Sequence, residues 1–155
     1  MLSSTPKKAN RLLISLGVIY LLSLVYILFL RNIGTDSPWT YAEYLVAMSN
    51  FKPLKSVVLL TTPVVSLDNV KLFLLSFVGN IVLFIPWGFM LPIHIEQAKK
   101  FRKFALISLV SIVLFEVVQL FTMLGSFDIE DILLNMLGSF IGFYCWNSHR
   151  RKCQK

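Results

Sequence analysis

Between residues 115 and 143 the chain reads FEVVQLFTMLGSFDIEDILLNMLGSFIGF, a mostly apolar stretch that still holds Glu116, Gln119, Asp128, Glu130, Asp131 and Asn135. Carboxylates accept hydrogen bonds and attract cations, while side-chain amides both donate and accept. Such a set can recognise a polar ligand or hold a hard cation such as Mg²⁺ or Ca²⁺ in preference to zinc. It can also run acid–base chemistry, if desolvation shifts one carboxyl against its neighbour. Glu116 and Gln119, three residues apart, share a helix face. Asp128, Asp131, Asn135, Gly138 and Gly142 fall in one helical stripe by their i, i+3, i+4 and i+7 spacing. The turn between the two segments is short, so the helices are antiparallel neighbours whose polar faces can meet.

Each residue also has a plain structural reading. Asp128 and Asp131 suit a helix N-terminus, as a cap and as acids at the positive end of its dipole. Gln119 and Asn80 suit interhelical glue worth ~0.6 kcal/mol each, and Gly138 and Gly142 form a small-xxx-small packing seam. Glu116 is harder to assign to structure alone. An ionised acid facing lipid costs about 2.5–3.5 kcal/mol even on the mild insertion scale, so it must face the bundle, be protonated or find a donor. Asn135, Gln119 and Asn80 each carry the N–H groups to serve it.

The elements that position these groups follow from hydropathy. Of 155 residues, 56% are hydrophobic and 15% charged, and the mean hydropathy is +0.72. Apolar runs of 18 or more residues read as membrane spans. Four are expected, near 12–30, 72–93, 104–122 and 128–146, giving an all-α integral membrane protein, a four-transmembrane-helix bundle in a single domain over 1–155. The first run is longer than a signal peptide's apolar core, has no A-x-A site, and reads as a retained anchor. Pro86 is expected to kink the second span, because it deprives the carbonyl of Val82 of its helical donor. Residues 31–70 form an irregular or interfacial connection with Pro38, Pro53 and Pro63, in which 56–67 is too short to cross. Trp39, Tyr41 and Tyr44 suit an interfacial belt.

Basic residues set the orientation. With both termini inside, only Arg31, Lys52, Lys55 and Lys71 of the fifteen Lys and Arg residues face out, as the positive-inside rule requires. Asp36, Glu43, Asp68, Asp128, Glu130 and Asp131 then lie outside or at the outer rim. The net charge of +7 comes from clusters flanking apolar runs, which speaks for topology and against nucleic acid as a partner. The basic tail NSHRRKCQK is expected to touch anionic headgroups. His94 and His149 fall on the far side from the acids, so neither a His-ligated zinc site nor a Ser-His-acid triad can form there; no metal or cofactor is expected. Cys145 and Cys153 show no CxxC or paired spacing and are expected to be reduced and structural.

Three blocks resemble the VanZ-like membrane proteins, named for a teicoplanin-resistance protein. NFKPL (50–54) resembles the family's N-x-x-P-[FL] segment, and NIVLFIPWGFMLP (80–92) its N-[VI]-x-[LM]-F-[IV]-P-[FW]-G-F-x-x-P helix. FEVVQLF with FDIEDILLNMLGSFIGF resembles its E-x-x-Q and D-[IV]-x-D-[IVL]-x-x-N-x-x-G-x-x-x-G pair. Together they cover most of 50–143. The resemblance marks Asn50, Pro53, Asn80, Phe84, Pro86, Gly88, Glu116, Gln119, Asp128, Asp131, Asn135, Gly138 and Gly142. One departure stands out. Many members place an arginine just before the first acid of the D-x-x-D block, where this chain has Ser126 in LGSFD.

The resemblance implies a multi-pass protein of the bacterial plasma membrane, linked to glycopeptide resistance. The expected role is non-enzymatic: an outward polar notch of Glu116, Gln119, Asp128, Asp131, Asn135 and Asn80, shaped by Pro86, Gly88, Gly138 and Gly142. Its partners would be membrane lipids and a lipid-linked cell-wall component or the glycopeptide antibiotic. The alternatives are a small membrane enzyme acting on a lipid-linked envelope substrate and a structural membrane subunit.

Overall fold

A computed structural model describes residues 7–30, 38–51 and 67–153. The first helix, α1 (Lys7–Leu28), is followed by the short α2 (Tyr41–Ala47) and the two-residue strand β1 (Ser49–Asn50). Next come the long helix α3 (Leu67–His94), a 3-10 turn (Glu96–Lys99) and α4 (Phe101–Phe121). The strand β2 (Phe127–Asp128) then leads into α5 (Ile129–Cys153). The described chain is all-α apart from one parallel pairing of β1 with β2, in which Ser49 faces Phe127 and Asn50 faces Asp128.

Phe73–His94 and Phe101–Phe121 are long and apolar enough to cross a membrane, while the apolar part of α1, Leu13–Leu28, is shorter. A 21-residue helix such as α4 is about 32 Å long, close to the hydrocarbon thickness of a bilayer. The helices overlap the four expected segments, with shifted ends. α3 begins at Leu67 rather than 72 and continues through both Pro86 and Pro92. α5 begins after Asp128, so the helical stripe starts at Asp131 and Asp128 stands at the mouth of the helix, where its side chain accepts the N–H of Glu130. Pro53, Pro63, all of the 56–67 segment but Leu67, and the end of the basic tail lie outside the described residues.

The four long helices share one core. Leu24 of α1, Phe84 of α3, Ile112 of α4 and Ile132 of α5 form a buried cluster, and Leu91, Ala98 and Phe104 form a second below it. The tightest pairing is α3 with α5. A Cβ on Gly88 would collide with the backbone carbonyl of Ser139, one on Gly138 with that of Ile81, and one on Gly142 with that of Ile85. The small residues thus let two helix backbones touch, the packing mode of helices that gain little from burying apolar side chains against each other. The outward faces are aliphatic: Leu16, Ile19 and Leu22 on α1, Leu75 and Val82 on α3, and Leu106, Val110 and Leu114 on α4 are all exposed.

Candidate functional site

The end of the bundle where α4 turns back into α5 collects the polar residues. α4 closes on Thr122, and Met123 adopts φ 57°, the left-handed conformation that commonly terminates a helix. The chain then enters β2, and Asp128 sits at the mouth of α5 with its Oδ1 accepting the N–H of Glu130 at 2.9 Å. That is the N-cap geometry. Its other carboxylate oxygen, Oδ2, accepts the side-chain amide of Asn50 at 2.8 Å. Asp128 therefore caps a helix and ties the β1 segment to it.

One turn into α5, Asp131 accepts a hydrogen bond from the side chain of Asn80 on α3. Glu116, 4% exposed on the inner face of α4, approaches the same place. Its Oε2 lies 3.5 Å from the backbone N–H of Asp128, and Asp131 and Asp128 are both within electrostatic range of its carboxyl. Neither Glu116, Asp128 nor Asp131 pairs with a Lys or Arg among the described residues. Asn135, 2% exposed and one turn below Asp131, leaves its Oδ1 without a hydrogen-bond partner there. Glu130 is also buried, at 5% exposure.

Two expected donors for Glu116 go elsewhere. The Gln119 amide donates to the carbonyl of Leu28 at 3.0 Å, satisfying an orphan carbonyl at the C-terminal end of α1. The Asn80 amide serves Asp131. Both bonds join neighbouring helices, so these amides do act as interhelical ties.

The outer connection docks onto the site. Tyr44, expected at an interface, is 7% exposed and donates its hydroxyl to the carbonyl of Gly125 at 2.8 Å. Trp39 and Tyr41 stay exposed. The N–H of Phe127 donates to Met48 at 2.9 Å, completing the bridge between the segments. Sequence reasoning marked Asn50 only through the NFKPL resemblance, and no local pattern announces a partner 78 residues away. Glu43 reaches back to the N–H and hydroxyl of Thr40 at 2.9 and 2.7 Å. Those bonds hold its carboxyl below the usual glutamate range.

The arrangement is an acceptor-rich cluster assembled from β1, α3, α4, β2 and α5. No three His, Cys, Asp or Glu side chains among the described residues converge on a metal position. His94 lies at the far end of α3, bonded to the carbonyl of Met90 at 3.0 Å. Cys145 is a free, exposed thiol.

These features define an all-α chain with apolar helices and a polar cluster confined to one end. The chain belongs to the VanZ/LLP1 family, whose model matches residues 17–150. Over 81 residues it is 30% identical to Protein VanZ of Enterococcus faecium, a match covering 52% of this chain and 47% of that protein. The chain thus matches about half the length of that relative. No solved structure matches it.

Proposed function

We propose that the chain is a four-span protein of the bacterial plasma membrane, with both termini inside and the Glu116–Asp128–Asp131 cluster opening to the exterior. Its role is to bind an envelope component through that cluster and so lower susceptibility to teicoplanin-type glycopeptides. The observation that carries this reading is the convergence of Asn50, Asn80, Glu116, Asp128 and Asp131 from five separate elements. An acid inside an apolar bundle is expensive, and is a functional candidate by default. A set rich in acceptors suits hydroxyl, amide or ammonium groups, which lipid-linked cell-wall components and glycopeptides both offer.

The membrane reading is supported by the exposed aliphatic faces of α1, α3 and α4 and by the polarity of the bundle's ends. Glu116, Asp128, Asp131, Asn50 and Asn80 gather at one end with no Lys or Arg beside them among the described residues; Lys99, Lys100, Lys103 and Arg150 gather at the other, where Glu96 is paired with Lys99. Membership of the family supports the resistance link, which does not follow from fold alone.

The test is teicoplanin and vancomycin susceptibility of a host expressing wild type, Glu116→Gln or Asp131→Asn at matched levels. The expected outcome is protection against teicoplanin from wild type and its loss in both variants. Unchanged protection from both would remove the cluster from the mechanism. Turnover of an envelope lipid extract by the purified chain, with a pH profile that moves in Glu116→Gln, would favour the enzymatic reading instead.

A further inference from the structure

The opposite end of the bundle carries a different kind of site. A cleft of about 480 Å³ is lined by Glu96, Gln97, Lys99, Lys100, Lys103 and Arg150. These residues come from the 3-10 turn, the start of α4 and the end of α5, so the chain folds back about 50 residues to complete the lining. Glu96 is occupied by Lys99, 2.5 Å away. Lys100, Lys103 and Arg150 have no acidic partner among the described residues. Cations drawn together without a counter-ion repel one another, and an anion placed between them relieves that cost.

The start of α4 sharpens the point. The first N–H groups of a helix lack intrahelical partners and carry the positive end of its dipole. Most helices place an Asp, Ser or Thr cap there. Here the cap residue is Lys100, with no side-chain cap bond, and the first turn holds no acid. It holds Arg102 and Lys103 instead, the opposite of what the helix alone would favour. Unpartnered N–H groups flanked by lysines are a phosphate-binding arrangement.

Arg150 is held ready. Its guanidinium lies over the Trp146 ring, 5.4 Å from the centroid, and Trp146 is itself buried and packed against Phe143. A side chain already fixed loses less freedom on binding. Lys100, Lys103 and Arg150 are exposed, as Arg102 and Arg151 are, but Arg102 and Arg151 do not line the cleft.

We propose that this cleft binds the phosphate headgroup of an anionic phospholipid, with Lys100, Lys103, Arg150 and the free N–H groups of α4 as the donors. The proposal rests on the membrane reading above, which puts the cleft at the cytoplasmic leaflet, where anionic lipids attract basic segments. The positive-inside rule accounts for basic residues near a span end. It does not account for their convergence around an uncapped helix start.

The test uses the purified full chain in neutral detergent, titrated separately with dioleoyl phosphatidylglycerol and dioleoyl phosphatidylcholine, with bound lipid read by native mass spectrometry. Phosphatidylglycerol is expected to be retained in preference to phosphatidylcholine. Lys103→Gln and Arg150→Gln should each weaken it about fivefold, the effect of one cation at a membrane surface. Arg102→Gln and Arg151→Gln remove the same charge from side chains that do not line the cleft and should weaken binding less than either. Equal retention of the two lipids, or equal losses from Arg102→Gln and Lys103→Gln, overturns the site. Complete displacement by inorganic phosphate would make it a free-anion site and overturn the lipid assignment. A chain that stays monodisperse without detergent sinks the membrane reading as well, whereas a detergent-requiring chain indifferent to headgroup sinks only this cleft.

Discussion

Asn80, midway along α3, donates its side-chain amide to the Oδ1 of Asp131, 51 residues further along the chain in the first turn of α5. This bond lies two turns from Gly88 on α3 and two from Gly138 on α5, where the backbones of the same pair of helices meet. One helix pair therefore carries both the close packing of the bundle and half of its polar cluster. Asp131 is held by α3, while Asp128 is held by Asn50 of β1.

A double-mutant cycle with Asn80→Ala and Asp131→Ala should give a coupling energy of about 1 kcal/mol, within the range found for interhelical hydrogen bonds in membranes. Reversible unfolding in detergent is the measurement. Strictly additive losses would mean that the two side chains do not share a bond in the folded protein.

The glycines of the bundle differ in the space around them. A Cβ at Gly138 or Gly142 meets backbone of α3, which cannot rotate away, whereas one at Gly79 meets nothing within 4 Å. Gly142→Ala is expected to destabilise by about 1–3 kcal/mol, as overpacking does. Gly79→Ala should be neutral or gain about 0.5–1 kcal/mol from the lower backbone entropy of alanine in a helix. Melting temperatures in one detergent decide it, and equal effects at both positions would contradict the close approach of α3 and α5.

Much of this fold is legible in the sequence, for identifiable reasons. Run length and apolar content place α3 and α4, because an apolar helix of bilayer length leaves a long uncharged signature. The stripe Asp131, Asn135, Gly138 and Gly142 is readable because helical spacing is local. Asp128 was ambiguous because a cap and a helical acid look alike until the start of the helix is known. The bond from Asn50, the turn of Gln119 toward Leu28 and the burial of Tyr44 depend on where distant segments come to rest. Asn50 and Asp128 meet only because β1 and β2 run side by side, and neither segment encodes that alone.

Acid should loosen the outer connection from its α2 end. The Glu43 carboxyl is lowered from 4.5 by its hydrogen bonds to Thr40. A depressed folded-state pKa contributes stability that is present above the unfolded value and lost as pH falls through the folded value. Protection factors of the amides at the first turn of α2 should therefore be constant at neutral pH and drop only below the ordinary glutamate range. Each factor is the exchange rate of the unstructured peptide divided by the observed rate at the same pH. Glu43→Gln should abolish that drop. Protection that falls near neutrality would point to a different group.

The central claim is that the carboxylate cluster faces the cell exterior and the cationic cleft faces the interior. Cysteine labelling in intact cells with a membrane-impermeant maleimide tests it, on a chain carrying Cys145→Ser and Cys153→Ser. Thr122→Cys, exposed where α4 ends beside the cluster, should label at once. Arg102→Cys, exposed at the start of α4, should label only after permeabilisation. The reverse pattern would place Glu116, Asp128 and Asp131 on the cytoplasmic side and contradict the account.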